Sequence, residues 1–299
     1  MATLGFIGYG IVGQATGEGF ARGGHRILFH DKYKKSDSLE QVVTESEFIF
    51  ICVPTPMFAD ESGIDLSVVE EVTEKIAREV QSFQNGAGKR KIVVIKSTVL
   101  PGTTAKFIKK YPRVTFAVNP EFLREKTAFW DFLHPDRTII GSLDNRVALK
   151  LKRLHQTILP KSAKFFLTDP TTAELAKYMS NVMLAAKIIL ANEFYTLARP
   201  LKIEYDLVRR MVEADPRIGL HLRVPGPDGD VGFGGKCFPK DMVALLALGR
   251  KLGVNLSVLE HIWQKNLKVR TTHDWKEIDG AVTKKKVPRV IKGITSTTG

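Results

Sequence analysis

The chain has 299 residues, 43% hydrophobic and 26% charged, with a formal net charge of +13. That suits one large or two modest globular domains, and no apolar run approaches the ~18 residues that would span a bilayer, so no membrane partner is expected. The lysines and arginines are spread along the chain without interleaved aromatics, which favours phosphorylated small molecules over nucleic acid as partners.

Residues 3–8 read as a first strand, and no basic region precedes them, which argues against a secretory leader. The strand runs into Gly8-Tyr9-Gly10-Ile11-Val12-Gly13, then a helical pattern to about Arg22, a second strand Arg26 to His30, and Asp31. Strand, G-x-G-x-x-G, helix, strand and acid in that order are the setting of a dinucleotide site. The glycines let a pyrophosphate approach the helix N-terminus, with Ile11 and Val12 in the same loop, and the acid accepts from the adenosine ribose. Asp31 favours NAD; His30, Lys32, Lys34 and Lys35 leave NADP open. Further short strands are expected at Phe48 to Val53, Ile92 to Ile95, Val114 to Val118 and Thr138 to Ile140, with a helix at Leu66 to Phe83 and a turn at Asn85-Gly86-Ala87-Gly88. Strands alternating with helical crossovers make a doubly wound parallel sheet, whose ligands sit beyond the strands' carboxyl ends. That rule gathers Thr55, Ser97, Thr98, Asn119 and Glu121 on one edge.

From Pro170 the period turns helical. Thr171 to Leu197 lacks Gly and Pro and predicts one helix of roughly 27 residues, capped by Asp169 or Thr171. Apolar residues wrap most of it, which points to a second subunit on one side. Lys177 and Asn181 share a face and Asn192 stands out among the apolar residues; alone, each would be read as a solvated side chain. A short helix is expected at Glu204 to Ala214, then a turn-rich loop of functional character from Asp215 to Gly229. The loop feeds Gly232-Phe233-Gly234-Gly235-Lys236-Cys237-Phe238-Pro239-Lys240-Asp241. Pro239 suits a helix start, so Cys237 lies just before a helix N-terminus beside Lys236 and Lys240, conditions that lower a thiol pKa. The glycines suggest close approach of a ligand to the backbone. A last helical pattern covers Leu256 to Arg270, periodicity fades beyond Thr271, and residues 280–299 read as a frayed tail with a solvated basic run, Lys284-Lys285-Lys286, Arg289 and Lys292. The division expected is 1–168, a Rossmann-like domain; 169–275, a mainly helical domain with one long central helix; and 276–299, a basic tail. Cys52 reads as a packed thiol, two cysteines make no disulfide framework, a reducing cytoplasm is the simplest compartment, and no metal is called for.

A thiolate sharing a site with a hydride-accepting cofactor can take an alcohol to an acid in two oxidations, given donors for an oxyanion and a group for protons and water. In order, the chain carries Gly8-x-Gly10-x-x-Gly13, Val53-Pro54-Thr55-Pro56, Lys96-Ser97-Thr98, Asn119-Pro120-Glu121-Phe122-Leu123-Arg124-Glu125, Pro135-Asp136-Arg137, Ala173-Glu174-Leu175-x-Lys177 with Asn181, and the cysteine motif. Over about residues 3–270 this resembles the UDP-glucose/GDP-mannose dehydrogenase family. The resemblance implies NAD as cofactor, a nucleotide sugar as substrate (UDP-glucose foremost, oxidised to UDP-glucuronate) and a homodimer through the long helix. It implies Cys237 as nucleophile, Lys177 and Asn181 as oxyanion donors, Asp241 with Thr98 and Glu125 at the water, and Glu121 as acid-base group. It places Gly8, Gly10, Ile11, Val12, Gly13, Asp31, Val53, Pro54, Thr55, Ser97, Thr98 and Glu125 around NAD. Around the sugar nucleotide it places Glu121, Phe122, Leu123, Arg124, Lys177, Asn181, Gly234 and Lys240, with the loop of Arg217 and Gly226 to Gly229 closing over the sugar. The family carries a further Rossmann-like domain where this sequence ends; a fragment, a minimal enzyme and another substrate are all open. A single-step hydroxyacid dehydrogenase, a non-catalytic NAD-binding protein and, on charge alone, a nucleic-acid-binding protein are the competing readings.

Overall fold

The computed structural model describes residues 1–83, 91–283 and 285. The turn expected at Asn85 to Gly88 and most of the basic tail lie outside them. Strands β1 (Thr3–Ile7), β2 (Arg26–His30) and β3 (Phe48–Ile51) carry the first half of a seven-stranded sheet. Next in sequence comes the short β4 (Met57–Phe58), then β5 (Ile92–Ile95), β6 (Thr115–Val118), β7 (Thr138–Gly141) and β8 (Phe165–Thr168). The sheet order is β2-β1-β3-β5-β6-β7-β8. Its central strands are apolar on both faces and fully buried, as a sheet covered by helices on both sides demands.

The sheet is mostly parallel, but β7 meets β6 antiparallel through the single pair Val118↔Gly141, and β8 runs parallel to β7. The connection from β6 to β7 holds a six-residue helix, Ala128–Leu133. The sheet is thus the doubly wound, parallel one expected, with the single pair between β6 and β7 running the other way. The sequence reading also passed over β8, a half-exposed edge strand without alternation, and the amphipathic helix Asn145–Gln156.

The long helix spans Pro170–Ala198, with Pro170 in its first turn and the Asp169 carboxylate accepting from Thr172 N at 3.0 Å. One face is buried: Ala173, Lys177, Tyr178, Asn181, Ala185, Ile189 and Asn192. The other leaves Met179, Met183, Leu190, Phe194 and Leu197 more than half exposed. Helices Tyr205–Glu213, Phe238–Leu252 and Ser257–Val269 follow, the last two packing on the long helix around Trp263 and Trp275.

The chain does not fray at 280. Trp275 is fully buried, and β9 (Val282–Thr283) pairs parallel with β4, tying the end of the helical layer to the loop after β3. Lys285, expected as a solvated charge, reaches the Asp65 carboxylate at 3.5 Å. No described helix is long and apolar enough to cross a membrane.

His155 is buried under the sheet, its Nδ1 donating to Leu151 O at 3.0 Å. Burial, reinforced by the nearby Lys96 cation, pushes its pKa down to about 3. The folded state thus stays neutral while the unfolded chain takes a proton below about pH 6.5, so this group's stabilisation is lost as pH falls through that window. Acidifying from pH 7 to 5 is expected to cost about 2 kcal/mol at this site. Urea titrations at the two pH values check this; in His155→Phe the difference should shrink by about that amount.

Candidate active site

The crest of the sheet and the buried face of the long helix enclose a cavity of about 650 Å³. Glu121, Phe122, Leu123, Arg124 and Glu125, just past β6, form one wall; Lys177 and Asn181 of the long helix form a second; Gly234, Gly235 and Cys237 form a third. The strand-end rule and the i, i+4 face thus bring these residues together, as the sequence implied.

Lys177 and Asn181 are buried rather than solvated. Lys177 Nζ lies 3.1 Å from Glu121 Oε1, and Glu121 Oε2 accepts from Leu123 N at 2.7 Å. Burial works against the Lys177 cation, but the carboxylates of Glu121 and Asp241 outweigh it and hold its pKa above the usual lysine value. Asn181 Nδ2 donates to Asp241 Oδ2 at 2.6 Å, and Lys240 donates to Asp241 Oδ1. Asp241 is 1% exposed and stands behind Asn181, off the cavity wall. Lys240, expected beside the sugar nucleotide, is buried as its partner.

Cys237 is the N-cap of the helix Phe238–Leu252, with Pro239 in the first turn. The residue is exposed at the cavity, yet its thiol is not acidified. Desolvation of the sulfur by its surroundings pushes the thiol up, Asp241 and Glu121 push the same way, and the cations Lys240 and Lys177 compensate only in part. The expected low thiol pKa is corrected for a physical reason. Lys236 turns away to the Asp279 carbonyl, and Lys240 is spent on Asp241.

The glycines also need a second explanation. A Cβ on Gly232 would lie 2.5 Å from Asn266 Oδ1, and one on Gly234 would collide with Arg270 and Asp274. These two make room for the chain's own side chains. Gly235, at φ +75°, has nothing within 4 Å of where its Cβ would be and faces the cavity.

At the cofactor end, a Cβ on Gly13 would collide with the Gly8 carbonyl, whereas one on Gly10, the N-cap of the helix Ile11–Arg22, would meet nothing within 4 Å. That open helix N-terminus suits a pyrophosphate. Asp31 Oδ2 accepts from Tyr9 N at 2.7 Å and Oδ1 from Tyr33 N at 2.9 Å. Although desolvation opposes it, these bonds and nearby Lys34 hold the carboxyl below its ordinary pKa, leaving lone pairs for ribose hydroxyls. The residues therefore fit a dinucleotide. The Ser97 hydroxyl donates to Val53 O at 2.7 Å, so it shapes the crest, and Thr55 is buried there. Thr98 is half-buried outside the cavity wall, while Glu125 lies exposed on it. Arg124 lines the cavity but commits its guanidinium to Asp131, and Arg217 is exposed and forks onto Asp215. Neither holds a site residue of this chain. Cys52 packs against the core below the glycine loop, and burial pushes its thiol up to about 12. Among the described residues no group of three His, Cys, Asp or Glu is placed to hold a metal.

Sequence reasoning gave no role to Asn266, Arg270 and Asp274, which hold the cysteine loop, nor to Glu174, which accepts from Gly102 N and Thr104 N. Only Asn192 carried a signal, as a polar residue on an apolar helix.

The glycine loop, its acid and the polar crest define a dinucleotide-binding α/β protein. More narrowly, the chain belongs to the UDP-glucose/GDP-mannose dehydrogenase family, whose NAD binding domain matches residues 30–159 and whose central domain matches residues 171–268. A UDP-glucose dehydrogenase structure from Pyrobaculum islandicum is 34% identical with a TM-score of 0.78, over 90% of this chain and 68% of that one. The UDP-glucose 6-dehydrogenase of Rickettsia bellii is 34% identical over 81% of this chain and 54% of its own length, so the chain spans about half of that relative. The 3-hydroxyisobutyrate dehydrogenase of Mycobacterium tuberculosis shares the fold, with a TM-score of 0.70 over 90% of this chain and 93% of that one, at 16% identity.

Proposed function

We propose that this chain oxidises the C6 alcohol of a nucleotide sugar, UDP-glucose foremost, to the carboxylate. The observation that carries the reading is the open Cys237 thiol sharing one cavity with the buried Lys177–Glu121 pair and with Asn181 backed by Asp241. When bound, NAD supplies acceptance of the hydride. Cys237 Sγ adds to the aldehyde carbon, its proton passing to the site's base, and holds the adduct until it has become a thioester; water then releases the acid and restores the thiol. Lys177 keeps two N–H groups, and Asn181 one, beyond the bonds described; these suit the oxygen that gathers charge as the thiol adds. Glu121, fixed by Lys177 and Leu123 N, is the acid-base group. Asp241 orients Asn181 from behind the cavity wall, and Glu125, exposed on that wall, is assigned to the water. The test is NADH formation against a panel of nucleotide sugars with the product identified by mass. Two NADH per sugar and a gain of 14 Da (roughly, two hydrogens lost and one oxygen gained) support the reading, and no NADH with any member of the panel sinks it.

The exposed apolar face of the long helix continues onto Leu207 and Met211 of the next helix. Large apolar side chains left open in a row along one helix mark an interaction surface. We assign it to a homodimer with the long helices opposed. Met179→Glu with Phe194→Glu should convert a dimer to a monomer in light scattering; a wild-type monomer at tens of micromolar would refute the assignment.

A further inference from the structure

Four buried or half-buried polar side chains converge on the loop before Cys237 from three separate places. Asn192, on the long helix about three turns beyond Asn181 and 3% exposed, accepts from Gly232 N at 3.0 Å and donates to Ile188 O. Asn266, fully buried on the helix Ser257–Val269, accepts from Phe233 N at 2.7 Å and donates to Phe233 O at 3.0 Å, as a neighbouring strand would. Asp274, beyond that helix, accepts from Gly235 N at 2.9 Å. Arg270 lies between them, its guanidinium on Asp274 and Asp228, 3.1 and 2.7 Å away. Three of the four N–H groups from Gly232 to Gly235 thus end on side chains instead of on secondary structure. A loop of glycines has no other means of keeping one shape, since its backbone entropy is the largest of any residue.

We propose that Asn192, Asn266 and Asp274 are positioning residues that fix Cys237 against the Lys177/Asn181 face. Asn192 is the most direct of the three, because it and that face belong to one rigid helix. The distance between nucleophile and oxyanion donors is thereby set by helix geometry, and the loop is hung from it. The proposal rests on Cys237 being the nucleophile. A displacement of about 1 Å in such a site costs on the order of 10²-fold in rate. Loosening the loop also admits water to the sulfur and relieves the desolvation that holds the thiol up.

The experiment compares wild type with Asn192→Leu, Asn192→Asp, Asp274→Ala and Cys237→Ala. Two quantities are read: the rate of Cys237 alkylation by iodoacetamide at pH 8 by peptide mass, with the buried Cys52 as the unreactive control for an intact fold, and the yield of acid. Asn192→Leu is expected to lose about 10²-fold in acid formation with little change in sugar KM. Its Cys237 should alkylate about threefold faster or more as water reaches the sulfur. Asn192→Asp keeps the acceptor for Gly232 N but gives up the donor to Ile188 O, so it should recover part of the acid yield lost in Asn192→Leu and alkylate more slowly than that variant. Should Asn192→Leu fail to fold, Asp274→Ala carries the same expectation from a more exposed position. Wild-type alkylation and acid yield in both Asn192→Leu and Asp274→Ala overturn the proposal and leave the nucleophile standing. Acid formation by Cys237→Ala removes the nucleophile and the positioning role with it.

Discussion

Cys237→Ala is expected to abolish acid formation, by at least about 10⁴-fold, while leaving the fold intact. Removing a nucleophile that splits one hard step into two leaves no alternative path of similar barrier, and losses of that order or more are usual. The fold should tolerate the change because the residue is exposed and its thiol makes no hydrogen bond among the described residues. The pH dependence sharpens the expectation. With the thiol held above its ordinary value by desolvation, the thiolate is scarce at neutral pH in the ligand-free protein. Alkylation of Cys237 should therefore climb steadily from pH 7 to 9 without levelling off, the opposite of a cysteine acidified by a helix N-terminus. A plateau below pH 8 would show that Lys177 and Lys240 outweigh burial and would restore the reading made from the sequence. Acid formation at the wild-type rate in Cys237→Ala would end the two-oxidation reading and leave a single-step dehydrogenase in its place.

The fold was legible where the chain repeats a period. Strand, glycine loop, helix and acid could be placed from residues 3–31 alone, and the long helix from its unbroken apolar run, because each is a local preference that tertiary structure reinforces. The reversal of β7 was not legible, since β6 and β7 are both short buried runs and such a run carries no mark of its direction in the sheet. The site divides the same way. Strand-end topology placed Glu121, and helical spacing placed Lys177 beside Asn181. Lys240 was misjudged because sequence proximity to Cys237 says nothing about which carboxylate claims the ammonium; Asp241, one residue on, does. The glycines at 232 and 234 were misjudged for a related reason. Close approach was correctly inferred, but the approaching groups, Asn266, Arg270 and Asp274, lie more than 30 residues away in sequence.

Lys177→Met should cost both stability and chemistry, and the two losses can be separated. The Lys177 side chain is 6% exposed and that of Glu121 10%, so removing the cation strands a carboxylate with little access to water. Breaking a buried pair from one side costs about 3–5 kcal/mol, whereas replacing both partners by uncharged groups of similar shape is far milder. Urea denaturation should therefore show Lys177→Met strongly destabilised and Lys177→Met/Glu121→Gln recovered by more than half. Activity should not follow. Loss of one donor to a developing oxyanion costs about 10²–10³-fold in rate, and the second substitution returns no donor, while it also removes the acid-base group. The double variant is thus expected to be folded and at least as inactive as the single one. Recovery of turnover together with stability would mean that Lys177 serves only to neutralise Glu121, and the oxyanion role would pass to Asn181 alone.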